Sequence, residues 1–321
     1  MPAFSHNSKE VWFNEATAAA NAIIAKQGIG LVRIRDWGER NLDALRPAGV
    51  HIKRLFVNCA VQDLSAIGTF TNLEELSIRT GLGTIDFAAL GKLKQLSVAE
   101  RTADFRGVAR AEALESLEIS YSHLKDLTAL GELTRLKKLD ISEGPLRSLE
   151  GIRRLPQLEH LSLHHLKLES LDGLTETRSL RKLGLGALPG LTSIAEVARC
   201  SGLTLLGLGQ LRKVNDVHVI GRLTRLDYLS LDQLKLGDAA YLEKLTKLRT
   251  LRILNIKDVP TLRFIRSMPL LEKFNATDSV FLDGDMSPLL EHPSLREVFF
   301  EDRRGYSATL DEVQAAMKAR G

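Results

Sequence analysis

Leu136–Glu143 reads Leu-Lys-Lys-Leu-Asp-Ile-Ser-Glu, so that apolar residues occupy the first, fourth and sixth positions of the stretch. Similar stretches recur along most of the 321-residue chain. Thirteen copies, each counted from its first apolar residue, begin at Ile29, Ile52, Leu73, Leu93, Leu114, Leu136, Leu158, Leu180, Leu203, Leu226, Leu248, Leu271 and Leu295. The mean period is about 22 residues, which is typical of proteins that stack one small structural unit many times.

The apolar pattern within one copy predicts a short strand followed by a return arm. Apolar residues at positions 1, 4 and 6 give the strand one buried face, and further apolar residues near positions 11, 14, 17 and 20 place the return arm against that face. A single copy cannot close a hydrophobic core, but stacked copies bury a continuous column of leucines beneath one parallel sheet. The return arm is too short for a full α-helix, so we expect 3₁₀ turns and extended segments there.

These repeats resemble the leucine-rich-repeat superfamily, in particular the class of about 22 residues found in bacterial internalins and in phosphatase-regulatory subunits. The resemblance covers about residues 29–302. It implies an α/β, right-handed solenoid or horseshoe of about thirteen coils, with the parallel sheet on its concave side. The superfamily usually carries Asn at position 9, where its amide bridges neighbouring coils. Position 9 of the central copies is apolar instead, which predicts stacked side chains at Leu166, Leu188, Leu211, Leu234 and Ile256.

Both ends of the repeat array are predicted to be capped by helices, which makes one structural domain of three parts. Residues 1–28 form the N-terminal helical cap, residues 29–302 the solenoid, and residues 303–321 a loop and a C-terminal capping helix. The first helix is expected over residues 14–27, with Asn14 as its N-cap, and Trp12 and Phe13 are expected to pack beside it.

Each capping helix has a recognisable sequence signal at one of its two termini. Gly28 stands where the first helix should stop. Thr309 and Glu312 have the spacing of a capping box at the start of the last helix.

Composition and the two cysteines favour a reduced, cytoplasmic protein. Cys59 and Cys200 cannot make a disulfide framework, so free thiols are expected. The first ten residues lack the basic and then apolar pattern of a secretion signal, and no apolar run is long enough to cross a bilayer. Lysine and arginine exceed aspartate and glutamate by 44 to 40, a formal charge of +4.

Two features that suggest chemistry have simpler explanations, and we expect no cofactor, metal ion or catalytic residue. His160 and His164 share one face of a strand, but they are about 13 Å apart at about 3.3 Å per residue, too far to bind one ion. Cys59 is remote from the histidines at 160–165, and no serine lies on the strand-to-helix turn that would activate it as a nucleophile.

The glycines of two neighbouring strands do not form a dinucleotide-binding loop, because no helix follows them. Gly184, Gly186, Gly207 and Gly209 occupy strand positions 5 and 7, which are predicted to be exposed. Glycine inside a strand costs about 0.5–1 kcal/mol relative to alanine. One interpretation is a flat seat for a side chain of a binding partner; the other is a substitution that the fold tolerates.

The central columns of the predicted concave face, positions 5, 7 and 8, carry more acids than bases. The acids are Asp36, Glu100, Glu118, Asp140, Glu143, Asp232, Asp278, Glu301 and Asp302, and the bases are Arg33, Arg35, Arg79 and Arg252. Glu118 and Asp140 both occupy position 5 of adjacent copies, where like charges on neighbouring strands destabilise a sheet. A basic partner would relieve that repulsion. Aromatic residues at Tyr121, Phe56, Tyr228 and Phe299 are typical anchors of interfaces.

We therefore expect a non-catalytic protein that binds another protein through this face. The predicted site consists of Glu100, Glu118, Tyr121, Asp140, Glu143, His164, His165, Gly184, Gly186, Gly207, Gly209, Tyr228 and Asp232. The partner is expected to be basic, which suggests an inhibitor or immunity-type protein for a toxin or nuclease. The alternatives are a generic scaffold or adaptor, a cell-surface adhesion module and, after those, a metal-binding or enzymatic protein. Nucleic acid is not expected, because only the corner of Arg33, Arg35, Lys53, Arg54 and Arg79 is cationic.

Overall fold

The computed structural model describes residues 4–6, 10–13, 18–35, 40–100, 105 and 107–320. The chain divides into two units. Unit 1 consists of Met1–Leu146 and Glu150–Leu158, and unit 2 consists of Arg147–Leu149 and Glu159–Gly321. Asn14, Asp36 and Trp37 lie outside the described residues.

Unit 1 is a stack of parallel coils that starts with an antiparallel hairpin. Its strands are β1 Phe4–His6, β2 Glu10–Phe13, β3 Leu31–Ile34, β4 Arg54–Val57, β5 Glu75–Ile78, β6 Gln95–Val98, β7 Ser116–Ser120 and β8 Lys138–Gly144. Consecutive strands from β2 to β8 pair in parallel with each other, and β1 pairs antiparallel with β2. The helix α1, Ala18–Gln27, lies between β2 and β3.

Unit 2 repeats the parallel arrangement. Its strands are β9 His160–Leu166, β10 Lys182–Gly186, β11 Leu205–Gly209, β12 Tyr228–Asp232, β13 Thr250–Leu254, β14 Lys273–Ala276 and β15 Glu297–Phe300. Each pairs in parallel with the next. Two helices complete the unit, α2 Ser287–Leu290 and α3 Leu310–Ala319.

The return arms contain short 3₁₀ helices, as the repeat length predicts. In unit 1 they are Asp43–His51, Ser65–Thr69, Leu82–Thr84, Phe87–Ala89, Val108–Arg110, Thr128–Leu130 and Ile152–Arg154. In unit 2 they are Leu174–Glu176, Ala195–Arg199, Val217–Arg222, Ala240–Lys244 and Arg263–Ser267. The predicted fold class, a solenoid with a parallel sheet and 3₁₀ arms, is confirmed.

The predicted register is also confirmed, since strands β3 to β15 each begin two residues after the first apolar residue of their copy. The residues at positions 1, 4 and 6 form the core of the stack. In the copy that begins at Leu158, for example, Leu158, Leu161 and Leu163 have no exposed surface. Burying one such side chain stabilises the fold by about 1.5–3 kcal/mol, and every coil contributes several.

The N-terminal end differs from the prediction of a purely helical cap. The hairpin of β1 and β2 continues the sheet by one more parallel strand, and the antiparallel β1 ends it. The helix α1 packs against the 3₁₀ helix Asp43–His51, with Ile24 fully buried, and Gly28 follows it at φ 63°. The repeat pattern does not predict β2, because this four-residue strand lies before the first of the thirteen copies.

The C-terminal end contains the predicted capping box. The Thr309 hydroxyl accepts a hydrogen bond from the Glu312 amide, and the Glu312 carboxylate accepts one from the Thr309 amide. Val313 of α3 is fully buried. The charged segment 301–306 has neither helix nor strand, but the Tyr306 hydroxyl accepts a hydrogen bond from the Phe281 amide at 3.0 Å and so joins this segment to the preceding coil.

Candidate functional site

Side chains at positions 3, 5 and 7 of each strand, together with position 8 at the strand end, point away from the buried leucines; we call this surface the open face. It corresponds to the face that the sequence predicts to be concave. On the open face of unit 1, Ser97, Glu118 and Asp140 stand in register on β6, β7 and β8. The predicted pairing of Glu118 with Asp140 on adjacent strands is therefore present.

The two carboxylates of this pair have different surroundings. Lys138, two residues before Asp140 on the same strand, places its Nζ 2.7 Å from Asp140 Oδ2. The Asp140 side chain is only 24% exposed, and its Oδ1 is buried without a hydrogen-bond partner in the described chain. Glu118 is exposed and makes no hydrogen bond or ion pair with another described residue. The repulsion expected from the sequence is thus reduced by Lys138, and Glu118 is the accessible member of the pair.

Glu100 contributes to the fold, whereas the sequence suggested that it extends the acidic cluster. It is half-buried, and its Oε2 accepts a hydrogen bond from the backbone amide of Leu82 at 2.9 Å, at the start of a 3₁₀ helix in the preceding coil. A carboxylate that accepts a backbone hydrogen bond at a helix start stabilises that helix. The Glu100 carboxylate therefore binds the backbone of the preceding coil.

Tyr121 and Glu143 occupy position 8 in adjacent coils and are both exposed. The Tyr121 amide donates a hydrogen bond to the Ser142 carbonyl at 3.0 Å, which fixes the two strand ends to each other. Together with Glu118 they form an exposed group of two carboxylates and one aromatic ring on a hydrogen-bonded sheet; we call these three residues the acidic patch.

Position 8 has an unusual backbone conformation in both units. Residues with φ of 50–62° occur there in eight coils. They are Tyr121 and Glu143 in unit 1, and His165, Ala187, Gln210, Gln233, Asn255 and Asp278 in unit 2. This left-handed conformation costs a non-glycine residue about 1–2 kcal/mol. Because it recurs regardless of residue type, it belongs to the architecture and does not mark Tyr121, Glu143 or His165 as catalytic.

The left-handed turn at position 8 directs position 9 into the core. Position 9 is apolar and buried in five coils, at Leu166, Leu188, Leu211, Leu234 and Ile256. This confirms that apolar stacking occupies the place of the usual Asn. In the next coil, position 9 is Ser279, and its side chain makes a polar bridge instead. Its hydroxyl accepts a hydrogen bond from the Ile256 amide at 3.1 Å and donates one to the Ile253 carbonyl at 2.8 Å.

In unit 2, the predicted glycine seat is partly filled by a histidine. An added Cβ at Gly186 would lie 2.4 Å from His164 Nδ1, and His164 Nε2 is 2.9 Å from Ser162 Oγ. Gly186 is buried, so the prediction that it is exposed is wrong for this position. Gly184 also borders this histidine, since an added Cβ at Gly184 would lie 3.6 Å from His164 Nε2. These glycines make room for the His164 imidazole.

The second pair of glycines is more open. An added Cβ at Gly207 would meet nothing within 4 Å, and one at Gly209 would only touch Asp232 at 3.7 Å. Asp232 accepts a hydrogen bond from the side-chain amide of Asn255 at 2.8 Å. Tyr228 is half-buried, and its hydroxyl is 3.4 Å from Arg252 Nη1. The open part of the glycine seat is therefore at Gly207 and Gly209.

A metal site or a reactive cysteine would require a particular geometry of the described residues. Within the described ranges, no group of three or more His, Cys, Asp or Glu side chains could hold a metal ion. Burial, and then the nearby Glu196 carboxylate, raise the pKa of Cys200 to about 11, so its thiol stays protonated at neutral pH. No helix of the described residues has the length and apolar character needed to span a membrane.

A cluster of stacked arginines and aromatic rings lies at the N-terminal end of unit 1. The Arg33 guanidinium is 4.3 Å from the ring centre of Phe56 and 5.3 Å from that of Trp12, and the Arg35 guanidinium is 3.9 Å from Trp12. The predicted basic corner therefore includes aromatic rings. Trp12 is not predicted as a member of this cluster, because the sequence pattern places it next to the capping helix and gives no sign of β2.

Comparison with known proteins supports the fold alone. No family model and no curated protein matches this chain. Among solved structures, the internalin InlF of Listeria monocytogenes is similar with a TM-score of 0.65 and 18% identity, over 86% of this chain and 81% of the internalin.

Two other solved structures are similar. A leucine-rich-repeat protein of Leptospira interrogans gives a TM-score of 0.57 at 18% identity, over 84% of each chain. The internalin InlC2 of Listeria monocytogenes gives 0.51 at 18% identity, over 67% of this chain and 93% of the internalin. The chain has the leucine-rich-repeat fold, as its sequence predicts.

Proposed function

We propose that the protein is a non-catalytic binding module that recognises another protein through the acidic patch of Glu118, Tyr121 and Glu143. The observation that carries the proposal is that these exposed side chains stand on neighbouring strands of a hydrogen-bonded sheet. The sheet fixes the backbone beneath these side chains, so little backbone conformational entropy is lost when a partner binds. An aromatic ring beside charged groups is a common centre of interface binding energy.

The partner is expected to be basic where it faces this patch. Glu118 and Glu143 have no compensating cation among the described residues, whereas Asp140 has Lys138. A positive surface would gain favourable electrostatic interactions with both exposed carboxylates and would be steered towards them. In its most specific form the proposal is an inhibitor or immunity-type protein that holds a basic toxin or nuclease inactive in the cytoplasm.

A charge-reversal experiment tests the patch. Glu118→Arg combined with Glu143→Arg should abolish capture of the partner from a lysate, as detected by mass spectrometry. Glu112→Arg combined with Glu132→Arg is the matched control, because both glutamates are exposed in unit 1 at positions outside the strands, and it should leave capture unchanged. Equal capture by both double variants would refute the proposed site.

The electrostatic part and the inhibitory part have separate tests. Association with the purified partner should slow steeply with added salt, because the Debye length falls to about 10 Å at 0.1 M ionic strength. An acidic partner, or a rate that does not change with salt, contradicts a basic contact surface. A captured nuclease or toxin that keeps its full activity in the complex contradicts inhibition and favours a scaffold, and cell fractionation separates the cytoplasmic proposal from surface adhesion.

A further inference from the structure

A cavity of about 360 Å³ opens on the open face of unit 2, where strands β13, β14 and β15 lie side by side. Its exposed lining comes from positions 3 and 5 of these strands. Position 5 supplies Arg252, Asn275 and Phe299, which stand in register across the three strands. The cavity belongs to a different unit from the acidic patch and has the opposite chemistry.

Arg252 presents unsatisfied donors in a half-buried place. The single hydrogen bond of its guanidinium to a described residue is the long one from Nη1 to the Tyr228 hydroxyl, at 3.4 Å. A guanidinium has five N–H donors in a planar fork that fits a carboxylate in a bidentate manner. Tyr228 therefore orients Arg252 without using its capacity to bind an anion.

The Asn275 side chain adds a second donor, and the hydrogen-bond pattern decides its orientation. Its Oδ1 accepts from the Thr277 amide at 3.0 Å and from the Thr277 hydroxyl at 2.7 Å. Because a backbone amide can only donate, the atom that faces it must be the oxygen, and the NH₂ group must point the other way. That NH₂ group has no acceptor among the described residues, and Asn275 lines the cavity.

The charge of the cavity fits one negative group. Lys273 and Glu297, at position 3, form an ion pair at 2.6 Å and cancel each other. Arg252 is then the one uncompensated charge among the lining residues. A single carboxylate matches it better than a doubly charged phosphate, and a nucleic-acid backbone would need a track of cations.

Phe299 indicates what accompanies the carboxylate. Its ring is 43% exposed and forms the apolar side of the site, one strand beyond Asn275. A carboxylate held midway between Arg252 and Asn275 would lie about one and a half strand spacings from Phe299, which is about 7 Å at about 4.8 Å per strand. Residues i and i+2 of an extended peptide lie on the same side and are also about 7 Å apart.

We propose that this cavity binds an acidic side chain of a partner protein, presented on an extended segment with an apolar residue two positions away that packs on Phe299. Arg252 and the Asn275 amide would donate to the two carboxylate oxygens, and Tyr228 would hold Arg252 in place. The site does not depend on the acidic patch of unit 1 and can be tested without knowing the partner.

The probe is the blocked peptide acetyl-Glu-Ala-Phe-amide, titrated into the ¹⁵N-labelled full chain while the side-chain resonances of Arg252 and Asn275 are followed. Both should shift and saturate. Acetyl-Gln-Ala-Phe-amide should bind at least about tenfold more weakly, because hydrogen bonds to charged groups are the stronger ones. Equal binding of the two peptides, or displacement of the first by an equal concentration of inorganic phosphate, would overturn the assignment to a carboxylate.

Two variants locate the site. Asn275→Asp keeps the oxygen that accepts from Thr277 and replaces the NH₂ donor by a second oxygen, so binding of the Glu peptide should be lost. Gln233→Glu is the charge-matched control, because this exposed residue lies on the same face outside the cavity, and binding should be retained. Arg252→Gln should also lose binding while the backbone amide spectrum stays native. Retained binding in Asn275→Asp and Arg252→Gln would refute the site.

Discussion

Replacing Ala187 by glycine should stabilise the protein, although alanine-to-glycine changes usually destabilise. Ala187 is held at φ 52° in unit 2. Its amide donates a hydrogen bond to the Gly209 carbonyl at 3.0 Å, so the residue cannot relax to a right-handed conformation without losing a bond between coils. Glycine has no Cβ and adopts this conformation without strain.

The expected size follows from two opposing terms. Removing the left-handed strain gains about 1–2 kcal/mol. Glycine gives the unfolded chain more conformational freedom, which costs about 0.5–1 kcal/mol. The free energy of unfolding should therefore increase in Ala187→Gly by up to about 1.5 kcal/mol, with a central value of about 0.7 kcal/mol.

Ala195→Gly provides the matched control, because Ala195 is exposed in a 3₁₀ helix of the same unit and is not among the described residues with positive φ. There only the entropy term remains, and the free energy of unfolding should fall by about 0.5–1 kcal/mol. Urea unfolding followed by circular dichroism measures both. If both variants are destabilised to a similar degree, position 8 is not strained and the architectural explanation is wrong.

Two further predictions concern the glycine seat and a buried histidine. Gly207→Ala should raise the free energy of unfolding by about 0.5–1 kcal/mol, because the new Cβ would have open space around it. Gly221→Ala should lower the free energy of unfolding by about 1–3 kcal/mol, because its Cβ would lie 2.7 Å from the Tyr241 carbonyl oxygen. Lower capture of a partner by the more stable Gly207→Ala would show that the seat is used, and equal stability of the two variants would contradict the predicted packing. Burial lowers the pKa of His292, the hydrogen bond to the Met268 carbonyl opposes this, and Arg320 adds to the lowering, so the folded state favours the neutral ring. The unfolded state then binds the proton more readily, so the free energy of unfolding should fall as pH decreases below the unfolded pKa of about 6.5. Urea titrations at pH 7 and pH 5 should show a smaller fall in His292→Gln than in the native chain.

The sequence could predict the coils because their pattern repeats and each copy confirms the register of the next. Leu161 and Leu163 are buried as expected, and Glu118 and Asp140 stand side by side on adjacent strands as expected. Both facts follow from the repeat length and from the alternation of side chains between the two faces of a strand. The hairpin of β1 and β2 could not be predicted in this way. It occurs once, so no second copy supports it, and the stacking of Trp12 with Arg33 and Arg35 does not follow from the repeat pattern.

The repeat pattern predicts some side-chain pairs within one strand but not those between coils. Asp140 meets Lys138 two residues earlier, and this pairing could have been noticed, because positions 3 and 5 of one strand share a face. Glu100 turns towards an amide in the preceding coil, and His164 lies over Gly186 of the following coil. These contacts depend on rotamers, which a sequence pattern does not specify.

An acidic face on a solenoid is therefore not the same as an acidic binding surface, because the coils themselves use carboxylates. The single N–H of Asp278 donates to both carboxylate oxygens of Glu301, and Asp302 accepts a hydrogen bond from the Leu310 amide at the start of α3. Such side chains satisfy backbone donors that the strand ends and helix starts leave without partners. Their charges are present at the surface, but moving them to meet a partner would break bonds that hold neighbouring segments together. A carboxylate without such a bond, as at Glu118 and Glu143, can change its rotamer at little cost, and this difference is the physical reason for placing the proposed contact there.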